Sequence, residues 1–298
     1  MAETISRETL ARDFAALSIM RGDVLLVRGG LRAVIQGGLR AVGRITAKEF
    51  VGALLDTIGP EGTLVSLAFT GSTFMRKANP AKPFTASSPT NAGALPTAML
   101  AHPDAKRSRH PTCSYVAIGR AADQILAGHG PDSGAYEPVR TIMNMQGKCV
   151  LVGCVRSSPG FTTAHVAEID LGHHRRVIMP WLSSTYYVDE NGETKLFRRK
   201  DIGLCSMSFW KYYAHYVRAG ILTTGYVGNA YSIMAPASAC YEIEKTILSK
   251  SPRFNVCDSP DCFVCNARRW DRLHRLPIFV VRKAMQRAGL MKCIPPSA

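Results

Sequence analysis

Acidic side chains are scarce in this 298-residue chain: 22 Asp and Glu against 37 Lys and Arg leave a net charge of +15. That deficit fits either a solvated surface with a basic tail or an anionic partner, such as nucleic acid, membrane lipid or a phosphorylated cofactor. Long apolar runs are missing too, and none approaches the ~20 residues needed to cross a bilayer, so no membrane partner is expected. The opening stretch MAETISRETLARDF lacks the apolar core of a secretory signal. Zinc-finger spacing with histidines, an aromatic-rich RNA-binding signature and a helix-turn-helix are all absent, which removes nucleic acid from the expected partners. The nine cysteines stand at scattered spacings rather than in a disulfide framework, and point to a reducing, cytoplasmic setting.

What is present suits a layered core. Hydrophobic residues make up 46% of the chain, ample for one large domain over residues 1–298, and no clean linker divides it. Leu10, Phe14 and Leu17 share one face of an opening helix. Apolar runs at Asp23–Val27, Thr63–Phe69, Tyr115–Gly119 and Cys149–Val155 read as strands. Between and after them lie helical patterns at Thr46–Ile58 (stopped by Gly59-Pro60), Ala92–Ala101 and Ala121–Leu126. This alternation over residues 1–170 predicts an α/β core with cofactor loops. Residues 171–298 read as α+β additions, with strand material in Val177–Val188, a turn at Asn191-Gly192, and helices at Phe209–Arg218, Tyr241–Ser249 and Pro277–Gly289. The Pro-, Ser-, Thr- and Asn-rich stretch Thr70–Thr90 has no period, and loops of that length often carry function. Gly29–Val34 is echoed by Gly37–Val42, a duplication inside a loop.

Chemistry concentrates in FTTAHVAEID. Thr162 or Thr163 can cap a helix on which His165 and Glu168 stand at i and i+3, on one face. A carboxylate beside an imidazole fixes its tautomer and raises the basicity of the far nitrogen, as a general base requires. The same spacing also serves ordinary surface pairs. A second block, Arg107-Ser108-Arg109-His110-Pro111 with Ser114, offers groups for an anion or a carbonyl, or else simply a satisfied loop histidine. Cys113 and Cys154 stand near the two histidines as candidate thiol nucleophiles. Cys257, Cys262 and Cys265 cluster closely enough for a structural zinc, with Cys240, His274 or Cys293 as the fourth ligand.

Taken in order, GDVLLV, IGPEGTLVSLAFT, RSRHPTCSYVAIGRAA, GKCVLVGC, TTAHVAE and GYVGNAYS resemble the aminoglycoside 3-N-acetyltransferase family over roughly residues 20–250. The resemblance implies a three-layer α/β/α fold around a mixed central sheet. It also implies an N-acyltransferase that moves an acyl group from acetyl-CoA or another acyl-CoA to the primary amine of a small metabolite, amino sugar or antibiotic-like acceptor. His165 lands on the family's base and Glu168 on its orienting carboxylate. Cofactor contacts are expected at Arg28, Gly29, Gly30, Leu31, Thr70, Arg107 and Ser108, and substrate contacts at His110 and Ser114. Backbone N–H groups near Gly29-Gly30 or Thr70 are expected to face the developing oxyanion. Two departures stand out: the family's His-Ser-Ser-Leu reads Arg28-Gly29-Gly30-Leu31 here, and the duplicated segment follows it. The basic excess, including Arg28, Arg44, Arg76, Lys77, Arg107, Arg109, Arg156, Arg175 and Arg176, predicts an acceptor that is not a polycation. A repurposed, non-catalytic binder of an anionic ligand and a Cys-dependent acyltransferase or amidase remain as alternatives. The oligomeric state stays open, a homodimer included.

Overall fold

Strand Val24–Gly29 organises the molecule, because both of its neighbours run parallel to it. In the computed structural model, which describes residues 4–36, 41–42, 45–74, 78–201, 203 and 205–294, it lies in the middle of a seven-stranded mixed sheet. The order across that sheet is Thr223–Val227, Ala230–Pro236, Lys148–Val152, Val24–Gly29, Thr63–Leu67, Tyr115–Gly119 and Lys106–Arg107. Every pairing outside the central three strands is antiparallel.

The central strands read as unbroken apolar runs because both faces are covered. Leu26, Val65, Cys149 and Leu151 point to one core with Val139, Ile142, Ala164, Ala167 and Leu248 from helices Glu137–Asn144, Thr163–Asp170 and Ala237–Lys250. Leu25, Val27, Leu64, Val150 and Val152 point the other way. They meet Leu10, Phe14, Phe50, Leu54, Leu95 and Met99 from helices Arg7–Ala16, Ala47–Ile58 and Ala94–Leu100. The result is the expected three-layer α/β/α arrangement. Helix Ala47–Ile58 starts where the sequence says it should: Thr46 Oγ1 accepts from the Glu49 N–H at 3.2 Å, and Glu49 Oε2 accepts from the Thr46 N–H at 2.6 Å.

Four expectations change. Strand Lys148–Val152 ends before Val155 because Gly153 turns the chain at φ +64°, where an added Cβ would sit 2.7 Å from that of Ala33. Strand structure within Val177–Val188 begins only at Ser183, after 3-10 turns at His173–Arg176 and Pro180–Leu182. Part of the aperiodic stretch Thr70–Thr90 has regular structure: Thr73–Phe74 joins hairpin Ser183–Val188/Thr194–Arg198 in a small sheet. The central sheet also recruits Thr223–Val227 and Ala230–Pro236, so the core extends well beyond residue 170. Helix Glu137–Asn144 was not expected. Residues 37–40 of the duplicated segment lie outside the described residues, as do Arg44, Arg76 and Lys77. Among the described residues, no helix is long and apolar enough to cross a membrane.

Candidate active site

The three parallel strands end on one edge, and loops leaving that edge enclose a cleft of about 290 Å3. Arg28 and Gly29 end the first strand, Leu67 the second, and Cys154 follows the third; His165 and Tyr136 also stand in the wall. Ligands of open α/β sheets gather at the carboxyl ends of their strands.

His165 and Glu168 meet as their spacing predicts, with His165 Nδ1 2.8 Å from Glu168 Oε2. The imidazole keeps 13% exposure toward the cleft, whereas the carboxylate keeps 1%. Asn255 Nδ2 donates to Glu168 Oε1 at 2.7 Å, so both carboxylate oxygens are engaged. Tyr136 stacks on the imidazole at 4.9 Å between centroids, and Phe209 packs against it at 4.8 Å. The backbone at Gly203 passes so close that a Cβ there would lie 2.7 Å from His165 Nδ1. A buried carboxylate on Nδ1 and flanking rings leave Nε2 as the nitrogen available for proton transfer.

The expected threonine cap does not form. Thr162 has helical backbone angles and makes no side-chain capping bond, and Thr163 Oγ1 instead donates to Glu244 Oε1 at 3.0 Å. Burial, chiefly, pushes the Glu244 carboxyl up to about 8, and the charge of Glu168 adds to the rise; donation from Tyr216 and Thr163 opposes it. The dyad helix therefore rests on a carboxyl that burial shifts toward its neutral form.

The second block is placed differently. Arg107 fastens loops together: Nε donates to Ser114 Oγ at 3.1 Å, Nη2 to the Ala68 carbonyl at 2.9 Å, and Nη1 to those of Ala86 and Ser88. Ser108 Oγ accepts from the Tyr115 N–H at 2.8 Å and lies 2.9 Å from His129 Nδ1. His110 is 1% exposed, and its Nδ1 accepts from the N–H groups of Thr112 and Cys113 at 3.3 and 3.0 Å. Burial, with the nearby His129 and Arg199 adding to it, pushes His110 down to about 3, and burial pushes His129 down to about 4. Ser114 Oγ donates to the Ala68 carbonyl at 2.7 Å. None of these side chains lines the cleft that holds His165.

The cofactor-loop residues divide as well. Arg28 lines the cleft, donates through Nη2 to the carbonyls of Ser158 and Gly160, and keeps a buried Nε without a partner. Gly29 lines the cleft beside it. Gly30 packs so tightly that a Cβ would fall 2.9 Å from the Gly153 oxygen, and Leu31 packs into the core. The Gly30 N–H donates to the Val152 carbonyl at 2.8 Å and the Thr70 N–H to that of Thr112 at 3.2 Å. Those two amides are therefore committed to backbone and do not face a developing oxyanion. Thr70 Oγ1 is likewise bonded, to the Pro111 carbonyl at 2.5 Å.

Burial pushes the thiols of Cys113 and Cys154 up, the opposite of what an activated nucleophile needs. Cys257, Cys262 and Cys265 do converge, but their fourth neighbour is Cys205 rather than Cys240, His274 or Cys293. Cys205 and Asn255 escaped the sequence reading for one reason: each stands far from its partners in the chain, with no local spacing to mark it.

A seven-stranded α/β/α sandwich with a histidine–carboxylate pair at its parallel strand ends defines a layered α/β protein with a cleft at the carboxyl edge of its sheet. The sequence pattern described as Aminoglycoside 3-N-acetyltransferase matches residues 35–249, and the chain belongs to that family. Aminoglycoside N(3)-acetyltransferase VII of Streptomyces paromomycinus is 32% identical over 187 residues, 55% of this chain and 60% of that protein. Aminoglycoside N(3)-acetyltransferase III of Acinetobacter baumannii is 29% identical over 181 residues, with the same coverage. The chain thus spans about 60% of the length of these curated relatives. Among solved structures, AAC(3)-IVa apoenzyme superposes with a TM-score of 0.72 at 22% identity, covering 90% of this chain and 97% of that one. AAC-IIIb in its binary complex with CoASH gives 0.62 at 22% identity, covering 83% and 97%.

Proposed function

We propose that this protein is an acyl-CoA-dependent N-acyltransferase in which His165 is the general base and Glu168 its positioning residue. The observation that carries this reading is the cleft-facing imidazole held by a buried carboxylate at 2.8 Å, inside a family whose name specifies acetyl transfer to an amine. The residues present fit an acyl-CoA. Leu67, Phe69 and Pro96 give the cleft an apolar side, and Arg28, whose buried Nε has no partner, puts a positive charge in its wall. Arg28, Gly29 and Phe69 would hold the acyl-bearing arm, and the bound thioester would supply an activated carbonyl with a thiol as leaving group.

The chain's own contribution is proton management. An alkyl amine attacks only when neutral, and the N–H proton must leave as the nitrogen forms its new bond. His165 Nε2 takes that proton, Glu168 stabilises the imidazolium through Nδ1–H, and the Asn255 amide keeps Glu168 aimed. Tyr136 and Phe209 fix the ring plane and exclude water from its faces. We place the reaction in the cytoplasm, where nine unpaired thiols stay reduced.

The acceptor follows from charge. The cleft wall carries Arg28 and no Asp or Glu among the described residues, which favours an amine on a neutral or anionic molecule over a polycation. The opposite reading has its own support, since AAC-VIa has been solved bound to sisomicin and AAC(3)-IVa in complex with apramycin. Incubation with an acyl-CoA set and an amine panel, read by mass spectrometry and thiol release, separates these readings. N-acyl products on neutral or anionic amines are expected; faster turnover of sisomicin or apramycin would reject the acceptor assignment, and no product from any pair would reject the enzyme.

A further inference from the structure

Four cysteines from three separate places converge beside the dyad. Cys205 precedes the 3-10 turn Ser206–Tyr212, Cys257 lies in the loop after helix Ala237–Lys250, and Cys262 and Cys265 open helix Phe263–Ala267. Their sulfurs all lie within 4.8 Å of one another, with Cys262 and Cys205 at 3.6 Å. A tetrahedron of sulfurs around an ion bonded at ~2.3 Å has edges of about 3.8 Å. Disulfides would instead resolve the group into pairs ~2.05 Å apart, and all four thiols are free. Met207, Val256 and Val264 pack around the cluster as an apolar shell. Asn266 braces the turn that presents Cys262, donating through Nδ2 to the carbonyls of Cys262 and Ser259 at 2.9 Å each.

The cluster ties together the two segments that hold the dyad. Two residues before Cys205, Gly203 lies against the His165 ring. Two residues before Cys257, Asn255 donates to Glu168. Ser208 Oγ donates to the Asn255 carbonyl at 2.7 Å and Lys211 Nζ to that of Val256 at 3.0 Å, so the segments already run side by side. Residues 257–265 lie beyond the part of the chain that the family pattern matches.

We propose that Cys205, Cys257, Cys262 and Cys265 bind one structural zinc ion, which clamps the Gly203 and Asn255 segments against His165 and Glu168. Four soft sulfur donors brought this close together and packed by apolar side chains select zinc over oxygen-seeking cations. On binding, each thiol gives its proton to solvent and its sulfur bonds the ion, so four protons leave for one Zn2+ and no redox change occurs. Arg272, within electrostatic reach of Cys265, lies where it offsets part of the resulting negative charge.

The test uses the full chain, produced in zinc-supplemented medium and purified without chelator. Elemental analysis should find about one zinc per chain, and cobalt substitution should give the visible bands of a tetrahedral thiolate site. Cys205→Ser and Cys262→Ser should each lower the zinc content at least tenfold, whereas Cys293→Ser, at an exposed cysteine outside the cluster, should retain it. Wild-type protein with under a tenth of an equivalent of zinc, or with iron in its place, overturns the zinc site. The clamping role rests on the acyltransferase reading: chelated protein that stays folded should lose kcat about 10- to 100-fold and recover it with zinc. Full activity after zinc removal would overturn the clamp alone. A zinc-loaded wild type with no acyl transfer would overturn the enzyme reading and leave the metal site standing.

Discussion

The chain holds two histidines that its sequence marks out, and the structure treats them in opposite ways. His165 keeps an open edge on the cleft and a carboxylate behind Nδ1. His110 is sealed, accepts backbone N–H bonds on Nδ1, and is pushed down to about 3 by burial. One presents an edge to the cleft; the other is closed off from it and favoured in its neutral form by burial. What separates them is the partner supplied to Nδ1. A carboxylate acceptor leaves Nε2 basic, whereas amide donors make Nδ1 the acceptor and put the proton on Nε2. A histidine in a motif therefore says little until the atom facing it is known.

The largest effect expected from this contrast is at His165. His165→Ala should lower kcat by about 10²–10⁴-fold while acyl-CoA binding, followed by calorimetry, persists. Turnover within tenfold of wild type would remove the contrast altogether. Asn255→Ala should cost less, about tenfold in kcat with KM little changed, because Glu168 remains but loses the amide that aims it. An unchanged kcat would mean that the helix alone orients the dyad.

The smallest effect on catalysis is expected at His110, where the consequence falls on stability. His110 and His129 titrate near 3 and 4 when folded, against 6.5 in the unfolded chain. Below pH 6.5 the unfolded state binds more protons, so stability is full above that pH and is lost as pH falls toward 4. The slope is about 1.4 kcal/mol per pH unit for each histidine. Denaturation midpoints at pH 7 and 5 should show this loss, and His110→Asn should roughly halve it, His129 keeping its share, while the folded variant keeps kcat within about twofold. A folded His110→Asn protein without activity would move His110 into the site.

Much of the sandwich was legible because its signals are local. Central strands buried on both faces read as apolar runs, and Thr46–Glu49 with Gly59 mark both ends of one helix. The dyad was legible for the same reason, since i, i+3 spacing on a helix fixes a contact. Strand Thr223–Val227 escaped because it alternates exposed and half-buried residues at a sheet edge, and helix Glu137–Asn144 because its apolar face is only a few residues long. The cleft's other walls, the Asn255 brace and Cys205 are products of long-range packing. No window of sequence contains both members of those contacts. Block resemblance also grouped Arg107, Ser108, His110 and Ser114 with the site, although their polar atoms are taken up in joining loops.

The chain order of these parts has a consequence in time. During synthesis His165 and Glu168 emerge well before anything that braces them from the far side. Strand Ala230–Pro236 comes later and still belongs to the sheet beneath them, and Asn255 and the last three cysteines come later again. Because domains tend to fold from the N-terminal side as they are made, the histidine–carboxylate pair is made before the segment that packs behind it. The Asn255 segment then docks on a helix already made, and the surroundings of Glu168 are complete only once it has done so.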